Sequence, residues 1–533
     1  MKLLCFLRTL ACSLFKENNT PPKKGALTLI SVFIFFLFST LGIGMLYLTQ
    51  VYMKTSAFRR NSLLCEYASE NGIKQGFDRF HHLLLERSAL MLLTEGEAMD
   101  FYQDAANGGT SIIEQALGCS LPLASADNWE RMSWESLTDF TLEQLVDRED
   151  YFQVRYKGTI SSSGQLEHFK ARKNACLDST LEVLAGRIPL PLIPVLVDKK
   201  MGPEEKSRFI EEKQIDILPL EQSELPAPIA FSENELIPEH ALSQLSEALK
   251  IKIFHPQDLS ASKLREALGL EPSKDPVPDG VYLIEDDLGL GGVFVQGDLD
   301  EMVLAIQDNF QVIKFVSEQG VWILKFSPQE GETVFWTPLA VHSYEFILRG
   351  IIIVNGRIHS LGGGYLDSAE EIIMGQEEEM PCILKSVNLT IISSDEITLS
   401  SHLIYQGLKW EEGVPYIKDS DTQLSIFSTG KDFLEGSEKT GQINIAATAP
   451  DELKIQASLT ASDKGIKVLG DGKKVQVLGS LQASDLVLHD NEISVKFDER
   501  FLKPSDLLRR SPRTRNPVLF ISSFKITGWR ENL

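Results

Sequence analysis

One uncharged stretch near the N-terminus constrains the fold of this chain more than any other feature. Residues 25–53 contain no charged side chain, and Lys23 and Lys24 stand directly before them. As a helix, residues 26–49 would be about 36 Å long, enough to cross a hydrocarbon core of about 30 Å with some tilt. The sequence therefore predicts a transmembrane helix at 26–53, from which the rest of the chain hangs as an ectodomain.

The charges before this stretch predict which side of the membrane the N-terminus occupies. Residues 1–25 hold five basic side chains and one acidic side chain, Glu17. Because cytoplasmic flanks are enriched in Lys and Arg, we expect a cytoplasmic leader at 1–25. A secretory signal would need small residues at a cleavage site after the apolar run, and Leu46-Tyr47-Leu48 matches this pattern poorly.

Length and charge narrow the functional classes. A chain of 533 residues suggests two or three domains. The net charge of −23, from 75 acidic and 52 basic residues, disfavours nucleic acid as a partner, because phosphate binding needs clustered Lys and Arg. We interpret the acidity as a solubility feature.

The sequence predicts no metal site and no cofactor. The acidic runs at 285–287 and 377–379 lack the spacing of an EF-hand loop and read as solvated loops. The cysteines show no metal-ligand spacing. Four of them follow the apolar stretch and could pair in an oxidising compartment, so their pairing stays open. The six cysteines are Cys5, Cys12, Cys65, Cys119, Cys176 and Cys382.

Helical periodicity continues beyond the apolar stretch. Residues recur at spacings of three and four, as on one face of a helix. We expect this face to pack on the chain's own head; packing beside neighbouring helices is the alternative. Helix is also predicted at 84–118 and at 141–149, with Thr141 as cap, so that 54–150 forms a helical stalk and head segment. The recurring residues are Leu63, Tyr67, Glu70, Ile73, Phe77, Phe80 and Leu84.

The apolar period changes from Tyr151 onwards. Alternation predicts a strand at 151–156 and a first β segment at 151–200. Residues 201–275 are rich in Glu, Lys and Pro, which indicates a polar insertion or linker. Within it, helical patches are predicted at 238–249 and 261–268.

Residues 276–533 read as a β-rich ectodomain in which one short theme recurs. The pattern V-x-V-x-G-x-L starts at Val293, Ile352 and Val475, with a looser copy at 183–188. Alternating apolar residues fill one face of a strand, and glycine permits a bend. The prediction is an α+β chain whose ectodomain is β-solenoid or β-helix-like, with a β-sandwich as the alternative. The copies are unevenly spaced, which excludes a fixed-period array.

Two short segments carry a resemblance to a known family. Lys23-Lys24-Gly25, followed by Ala26 and an apolar helix, resembles a type IV prepilin processing site. Further on, residues 68–73 (ASENGI) look like the A-x-E-x-G-I stretch of PilX-like minor pilins. Leu-Gly within the membrane helix, at positions 41 and 42, is also similar to that family.

The resemblance implies a processing event and a set of partners. A prepilin peptidase would cut after Gly25, and the new N-terminal residue, Ala26, would be methylated. Major pilins carry Glu at the fifth mature position, whereas this chain has Ile30 there, as in minor subunits. This departure argues against polymerisation into a long pilus. The alternative is an uncleaved single-pass anchor.

The C-terminal half resembles an uncharacterised ectodomain found behind PilX-like N-termini. The similarity rests on TIISSDEITLSSHLIY at 390–405, LSIFS at 424–428, INIAATA at 443–449 and the closing W-R-E at 529–531. It brings no known catalytic residues.

A catalytic role is the alternative to a non-enzymatic one. Enzymes on β-helices group acidic and basic residues on one face, and the candidates here are Asp395, Glu396, Arg357, His359 and His402. They form no recognisable motif, so we expect no catalytic residue. A membrane-tethered, carbohydrate-active β-helix enzyme is the second hypothesis.

The leading hypothesis is a non-enzymatic, membrane-anchored, minor-pilin-like protein. It would be a component or accessory of a type IV pilus or related secretion assembly, with a head for adhesion or surface contact. It would sit in the inner membrane, with its ectodomain periplasmic or exported to the cell surface. Its expected partners are other pilin-like subunits and a prepilin peptidase. An uncleaved structural envelope protein is the third hypothesis.

Overall fold

The computed structural model describes most of the chain. The described residues are 24–86, 91–112, 124–129, 132–148, 150–166, 169–199, 201, 205, 208–209, 212–213, 215–218, 229–231, 261–286, 289–346, 348, 350–375, 379–411, 414–416, 422–502, 511 and 513–532. Within them the protein is α+β, with a long apolar N-terminal helix followed by a mainly β chain, as the sequence predicted.

Among the described helices, the first is much the longest. Helix α1 has 63 residues and is therefore about 95 Å long. Helix α2 begins with a capping box, in which the Thr94 backbone N–H donates to Glu97 and the Glu97 backbone N–H donates to the Thr94 hydroxyl. The helices are α1 (Lys24–Glu86), α2 (Glu95–Ala106) and α3 (Ala261–Ala267), with 3₁₀ turns at Leu190–Leu192 and Glu499–Leu502.

The helix predicted at 84–118 is therefore only partly correct. Helix α1 ends at Glu86, a short strand follows at Met91–Leu92, and α2 occupies 95–106. Residues 113–118 lie outside the described part of the chain. The predicted helix at 261–268 is confirmed by α3, whereas the one at 238–249 lies outside the described residues.

A six-stranded antiparallel sheet, here called the head sheet, follows α1. Its strand order is β1-β30-β5-β4-β3-β2. The last strand of the chain thus lies between two early ones, and Arg530 on β30 pairs with Asp178 on β5 across 352 positions of sequence. The strands are β1 (Met91–Leu92), β2 (Ala124–Trp129), β3 (Met132–Asp147), β4 (Tyr151–Leu166), β5 (Phe169–Gly186) and β30 (Val518–Asn532).

The helix predicted at 141–149 is wrong, because Thr141 pairs with Lys157 within the β3–β4 ladder. A register shift between Leu142 and Gln144 explains the error. The extra residue of a bulge re-aims the side chains that follow it. Leu142 and Leu145, three positions apart, therefore both pack on the core of the head sheet, and this spacing imitates a helix. Strands consequently begin well before residue 151.

Two larger sheets make up most of the remaining chain. The first has the order β7-β29-β27-β25-β23-β19-β16-β10-β9, with β6 and β8 branching from it. Its strands are β6 (Val195–Val197), β7 (Ile215–Leu218), β8 (Ile229–Phe231), β9 (Gly280–Asp286), β10 (Gly289–Gln296), β16 (Ile351–Asn355), β19 (Asn388–Ser393), β23 (Gln423–Ser428), β25 (Glu452–Ala461), β27 (Lys474–Ala483) and β29 (Glu492–Phe497).

The second large sheet has the order β15-β14-β13-β12-β11-β17-β20-β24-β26-β28, with β18 paired to β17. Its strands are β11 (Glu301–Gln307), β12 (Phe310–Ser317), β13 (Gly320–Ser327), β14 (Glu332–Trp336), β15 (Val341–Tyr344), β17 (Ile358–Leu366), β18 (Ile372–Met374), β20 (Ile397–Leu399), β24 (Gln442–Ile445), β26 (Gly465–Val468) and β28 (Leu486–Val487). A separate hairpin joins β21 (Lys409–Glu411) and β22 (Val414–Tyr416).

Most pairings in the two large sheets are parallel and in register. Apolar side chains stack in columns from strand to strand and belong to one core. Such two-sided burial explains the long apolar runs in these strands. One column consists of Val293, Ile352, Ile391, Ile426, Leu459 and Leu481.

The recurring glycine theme marks this parallel pairing. Its first two copies lie side by side on β10 and β16, and a Cβ at Gly356 would stand 2.2 Å from the Gly297 carbonyl oxygen. In the third copy, Gly479 has φ +153°, and a Cβ there would stand 2.0 Å from the Ala457 carbonyl oxygen. The looser copy at 183–188 differs, because it ends strand β5 in the antiparallel head sheet.

The parallel sheets are joined to the rest of the chain through apolar contacts on the outside of the first sheet. Near β10, Leu264 of α3 packs in a cluster with Phe294 and Ile353. Near β6, Leu196 packs in a cluster with Phe520 of the head sheet. The three described cysteines, Cys65, Cys176 and Cys382, are buried, and no disulfide joins them. Cys119 lies outside the described residues.

Candidate functional site: the apolar helix and its contact with the head sheet

The N-terminal half of α1 exposes a continuous apolar surface. Between Ser31 and Gln75 the helix is long and apolar enough to cross a membrane, and its most apolar window has no buried share. Soluble proteins rarely leave so large an apolar surface open to water, and such surfaces mark contact with lipid or protein. The exposed large residues here include Val32, Phe33, Ile34, Phe35, Phe36, Phe38, Leu41, Ile43, Met45, Leu46, Tyr47, Leu48, Val51, Tyr52 and Met53.

Three threonine hydroxyls in this half are satisfied within the helix. The hydroxyls of Thr40, Thr49 and Thr55 each donate to a backbone carbonyl four residues earlier, at 2.8–2.9 Å. In hydrocarbon there is no water to accept these bonds, and intrahelical bonding removes the cost. These three hydroxyls are therefore compatible with a bilayer environment.

Basic side chains flank the apolar surface at both ends. Lys24 is the first residue of α1, and Gly25 and Ala26 follow in its first turn. At the far end, Lys54 and Arg60 are exposed. Lys23, the other basic residue of the predicted processing site, lies outside the described residues. The predicted processing residues thus stand at the beginning of the helix.

The C-terminal half of α1 packs on the head sheet. Burial begins at Cys65, which is fully enclosed, and continues through Ala68, Ser69, Gly72 and Ile73 at helical spacing. Small side chains dominate this face, so the helix axis can lie close to the strands. Ile73 joins the core that lines the head sheet.

This face differs from the one that sequence periodicity predicted. Leu63 and Tyr67 are 52% and 61% exposed, so the first part of the predicted stripe is wrong. Ile73 is buried and Phe77 packs partly on the core. The side chains of Phe80 and Leu84 lie outside the described ones. The periodicity of large apolar residues did not predict the buried face, because small residues form most of the contact with the sheet.

The contact also gives a structural meaning to residues 68–73. Ala68, Gly72 and Ile73 point into the contact with the sheet, whereas Glu70 is half-buried and Asn71 is exposed. The small and apolar letters of A-x-E-x-G-I are thus the ones that contact the sheet. Helix and sheet are fixed to each other at this point.

The acidic residues considered for catalysis hold turns between strands. Asp395 accepts hydrogen bonds from the backbone N–H groups of Glu396 (2.8 Å) and Thr440 (3.0 Å), and lies 3.7 Å from the Arg357 guanidinium. Glu396 in turn accepts from the side chain of Asn444 at 2.6 Å. The structure therefore brings Arg357, Asp395 and Glu396 together, with their side chains engaged in positioning the chain.

The two histidines lie apart from this group in different surroundings. His359 is exposed. His402 is buried, and its Nδ1 accepts from the Lys454 backbone N–H at 3.0 Å. Burial lowers the pKa of His402, against a smaller raising effect of Glu379. Among the described residues, no group of three or more His, Cys, Asp and Glu is placed to hold a metal ion.

Comparison with protein-family models, with curated proteins and with solved structures finds no match for this chain. The clearest candidate site in the described residues is helix α1, which has an exposed apolar half and a half that packs on the head sheet.

Proposed function

We propose that this chain is a non-enzymatic, membrane-anchored, minor-pilin-like protein whose β-rich part makes adhesive or surface contacts. One observation carries the proposal. One helix has an N-terminal half whose most apolar window has no buried share, and its other half is fixed to an antiparallel sheet through residues 65–73. Such a helix couples a membrane rigidly to a head, without a linker.

The orientation in the membrane and the N-terminal processing are proposed from the sequence. Because five basic residues precede the apolar stretch, the N-terminus would be cytoplasmic, and the head would lie on the periplasmic side of the inner membrane or be exported to the cell surface. The prepilin-like residues Lys23 to Ala26 suggest cleavage after Gly25. Other pilin-like subunits and a prepilin peptidase are the proposed partners.

The proposal includes a β-solenoid form for the head. Its support is the parallel, in-register pairing of β10, β16, β19, β23, β25 and β27, together with the second parallel series β11, β17, β20, β24, β26 and β28. The sandwich alternative fits less well, because β-sandwiches are mostly built from antiparallel sheets. Glycines at 356 and 479 stand where adjacent strands approach too closely for a side chain.

The mature N-terminus tests this function. The full-length chain would be expressed with and without its host's prepilin peptidase, extracted from membranes, and its N-terminal peptide identified by mass spectrometry. We expect a chain beginning at methylated Ala26 only when the peptidase is present. Gly25→Val should block cleavage, because the resemblance places the cut directly after that residue.

Gly42→Ala is the matched control, since a Cβ at Gly42 meets nothing within 4 Å. This variant should be processed like the unaltered chain. A chain that begins at Met1 in the presence of the peptidase would refute the pilin-like proposal and leave an uncleaved anchor.

A further inference from the structure

Strand β15 is an open edge of the second large sheet. Strands β11 to β15 form an antiparallel meander, and in the described part of the chain β15 pairs only with β14. Its residues Val341, His342 and Ser343 are exposed, and Tyr344 is half-buried. Edge strands present unpaired backbone groups that can accept another strand.

The register identifies which backbone groups face outwards. The turn of the β14–β15 hairpin is closed by a bond from the Thr337 N–H to the Ala340 carbonyl at 2.8 Å. In an antiparallel ladder, hydrogen-bonded pairs alternate with non-bonded pairs. The hairpin therefore bonds through Phe335 and His342, and the N–H and C=O groups of Val341 and Ser343 point away from it.

Three devices that commonly protect an edge are absent from β15. Natural edges carry Lys, Pro or a bulge, whereas β15 contains neither Lys nor Pro, and its register with β14 is unbroken. The apolar side chains beside it are open, with Leu339 98%, Val341 59% and Phe346 52% exposed. The Thr337 hydroxyl accepts from the Ala340 N–H at 2.9 Å, so the turn is held in shape before any partner arrives.

The charges around the edge indicate the partner's chemistry. Between positions 332 and 346 the only charged residues are Glu332 and Glu345, both exposed, and there is no Lys or Arg. A second copy of this chain would bring the same carboxylates and a net charge of −23 against the first. Complementary charge favours a basic partner over a second copy.

We infer that β15 binds an extended segment of a partner protein by strand addition. The segment has alternating apolar residues that cover Val341 and Phe346, and Lys or Arg residues that face Glu332 and Glu345. Backbone bonds to Val341 and Ser343 supply affinity, and the side chains supply specificity. A basic, extended segment is thus the kind of partner expected for the proposed surface contact. Strand addition at β15 rests on the proposed function only for the place where the partner is met.

The test uses the full-length chain in detergent micelles and two synthetic ten-residue peptides, one alternating Val with Lys and one alternating Val with Glu. Amide hydrogen exchange of residues 332–346 is followed by mass spectrometry, with fragmentation to single residues. We expect the Val–Lys peptide to slow exchange at Val341 and Ser343 at least tenfold, and the Val–Glu peptide to leave it unchanged.

Ser343→Pro removes an outward N–H without removing a bond to β14. It should weaken binding of the Val–Lys peptide about tenfold or more, the effect of a lost bond plus a blocked strand edge. Ser343→Ala keeps the N–H and should bind like the unaltered chain. Protection of the Phe335 amide in both variants shows that the hairpin is intact.

Three results would overturn the inference. Equal protection by both peptides, or no protection by either, would show that no basic strand is recognised. Concentration-dependent dimers that protect the same amides would identify a second copy as the occupant. Binding of phosphatidylcholine–phosphatidylglycerol vesicles through Leu339, without peptide protection, would identify a membrane contact. None of these results depends on cleavage after Gly25, so failure here is distinguishable from failure of the proposed function.

Discussion

Replacing one glycine tests whether close parallel stacking holds the large sheets together. Gly479 lies on β27 opposite Ala457 of β25, with φ +153°, and a Cβ would stand 2.0 Å from the Ala457 carbonyl oxygen. Gly479→Ala would place a side chain in an unfavourable backbone region, at about 1–3 kcal/mol. Relieving the contact adds about 1–3 kcal/mol of overpacking. We expect a total loss of about 2–6 kcal/mol.

Gly472→Ala separates the two costs. Gly472 also has a positive φ, +73°, but a Cβ there meets nothing within 4 Å. Its substitution should cost only the backbone penalty of about 1–2 kcal/mol. The difference between the two variants therefore measures the steric cost of the β25–β27 approach.

Native-state hydrogen exchange of β27 in the full-length chain is the appropriate assay, because a chain with several cores does not unfold in two states. A loss of 2 kcal/mol corresponds to about thirtyfold faster exchange of amides that open locally. Gly479→Ala should reach or exceed this value and should accelerate exchange more than Gly472→Ala does. Equal acceleration in both variants would refute the argument that the strands approach too closely for a side chain.

Two further predictions concern buried polar groups. Gln311 is fully buried, donates to the Cys382 carbonyl at 2.9 Å and accepts from the Leu384 N–H at 2.8 Å. Gln311→Ala should therefore reduce stability by about 2–4 kcal/mol, because both groups lose this partner. Faster hydrogen exchange of the Leu384 amide measures this loss, and unchanged exchange would contradict the prediction. His402 has a pKa below its ordinary value of 6.5 because it is buried, so its stabilising contribution is complete above that pH and is lost as the pH falls and the unfolded chain is protonated first. His402→Asn keeps an acceptor for the Lys454 N–H but cannot titrate. It should reduce the fall in the exchange protection factor of the Lys454 amide between about pH 7.5 and about pH 5.5. An unchanged fall would assign the pH dependence to other groups.

The sequence predicted those features that depend on local periodicity. The apolar stretch at 26–53 is part of a helix because nothing charged or helix-breaking interrupts it. The strand predicted at 151–156 follows from alternating apolar residues and lies within β4. The glycine theme likewise predicted strands, and two of its copies pair in register. Where two backbones approach closely, only glycine fits, and it follows the apolar residues at a constant spacing.

Features that depend on distant contacts were not predictable in the same way. The bulge after Leu142 imitates helical spacing, and only the pairing with β4 reveals it. The buried face of α1 is made of small residues such as Ala68 and Gly72, which carry little hydrophobic signal. The open edge at β15 is visible only once its neighbours are known, although the Pro338-Leu339 turn between two apolar runs is a hairpin signal.

The place of β30 in the head sheet has a consequence for how the chain matures. Its partner β5 is synthesised hundreds of residues earlier, and the strands of both large sheets lie between β5 and β30 in the sequence. During synthesis, the edge of β5 stays unpaired until β30 has been made, and long-range pairing of this kind folds slowly. The head sheet, on which α1 packs, is thus completed only after the two large sheets have been synthesised. A chain interrupted within the two large sheets would carry its apolar helix on an incomplete head sheet, a state that proteases and chaperones can recognise.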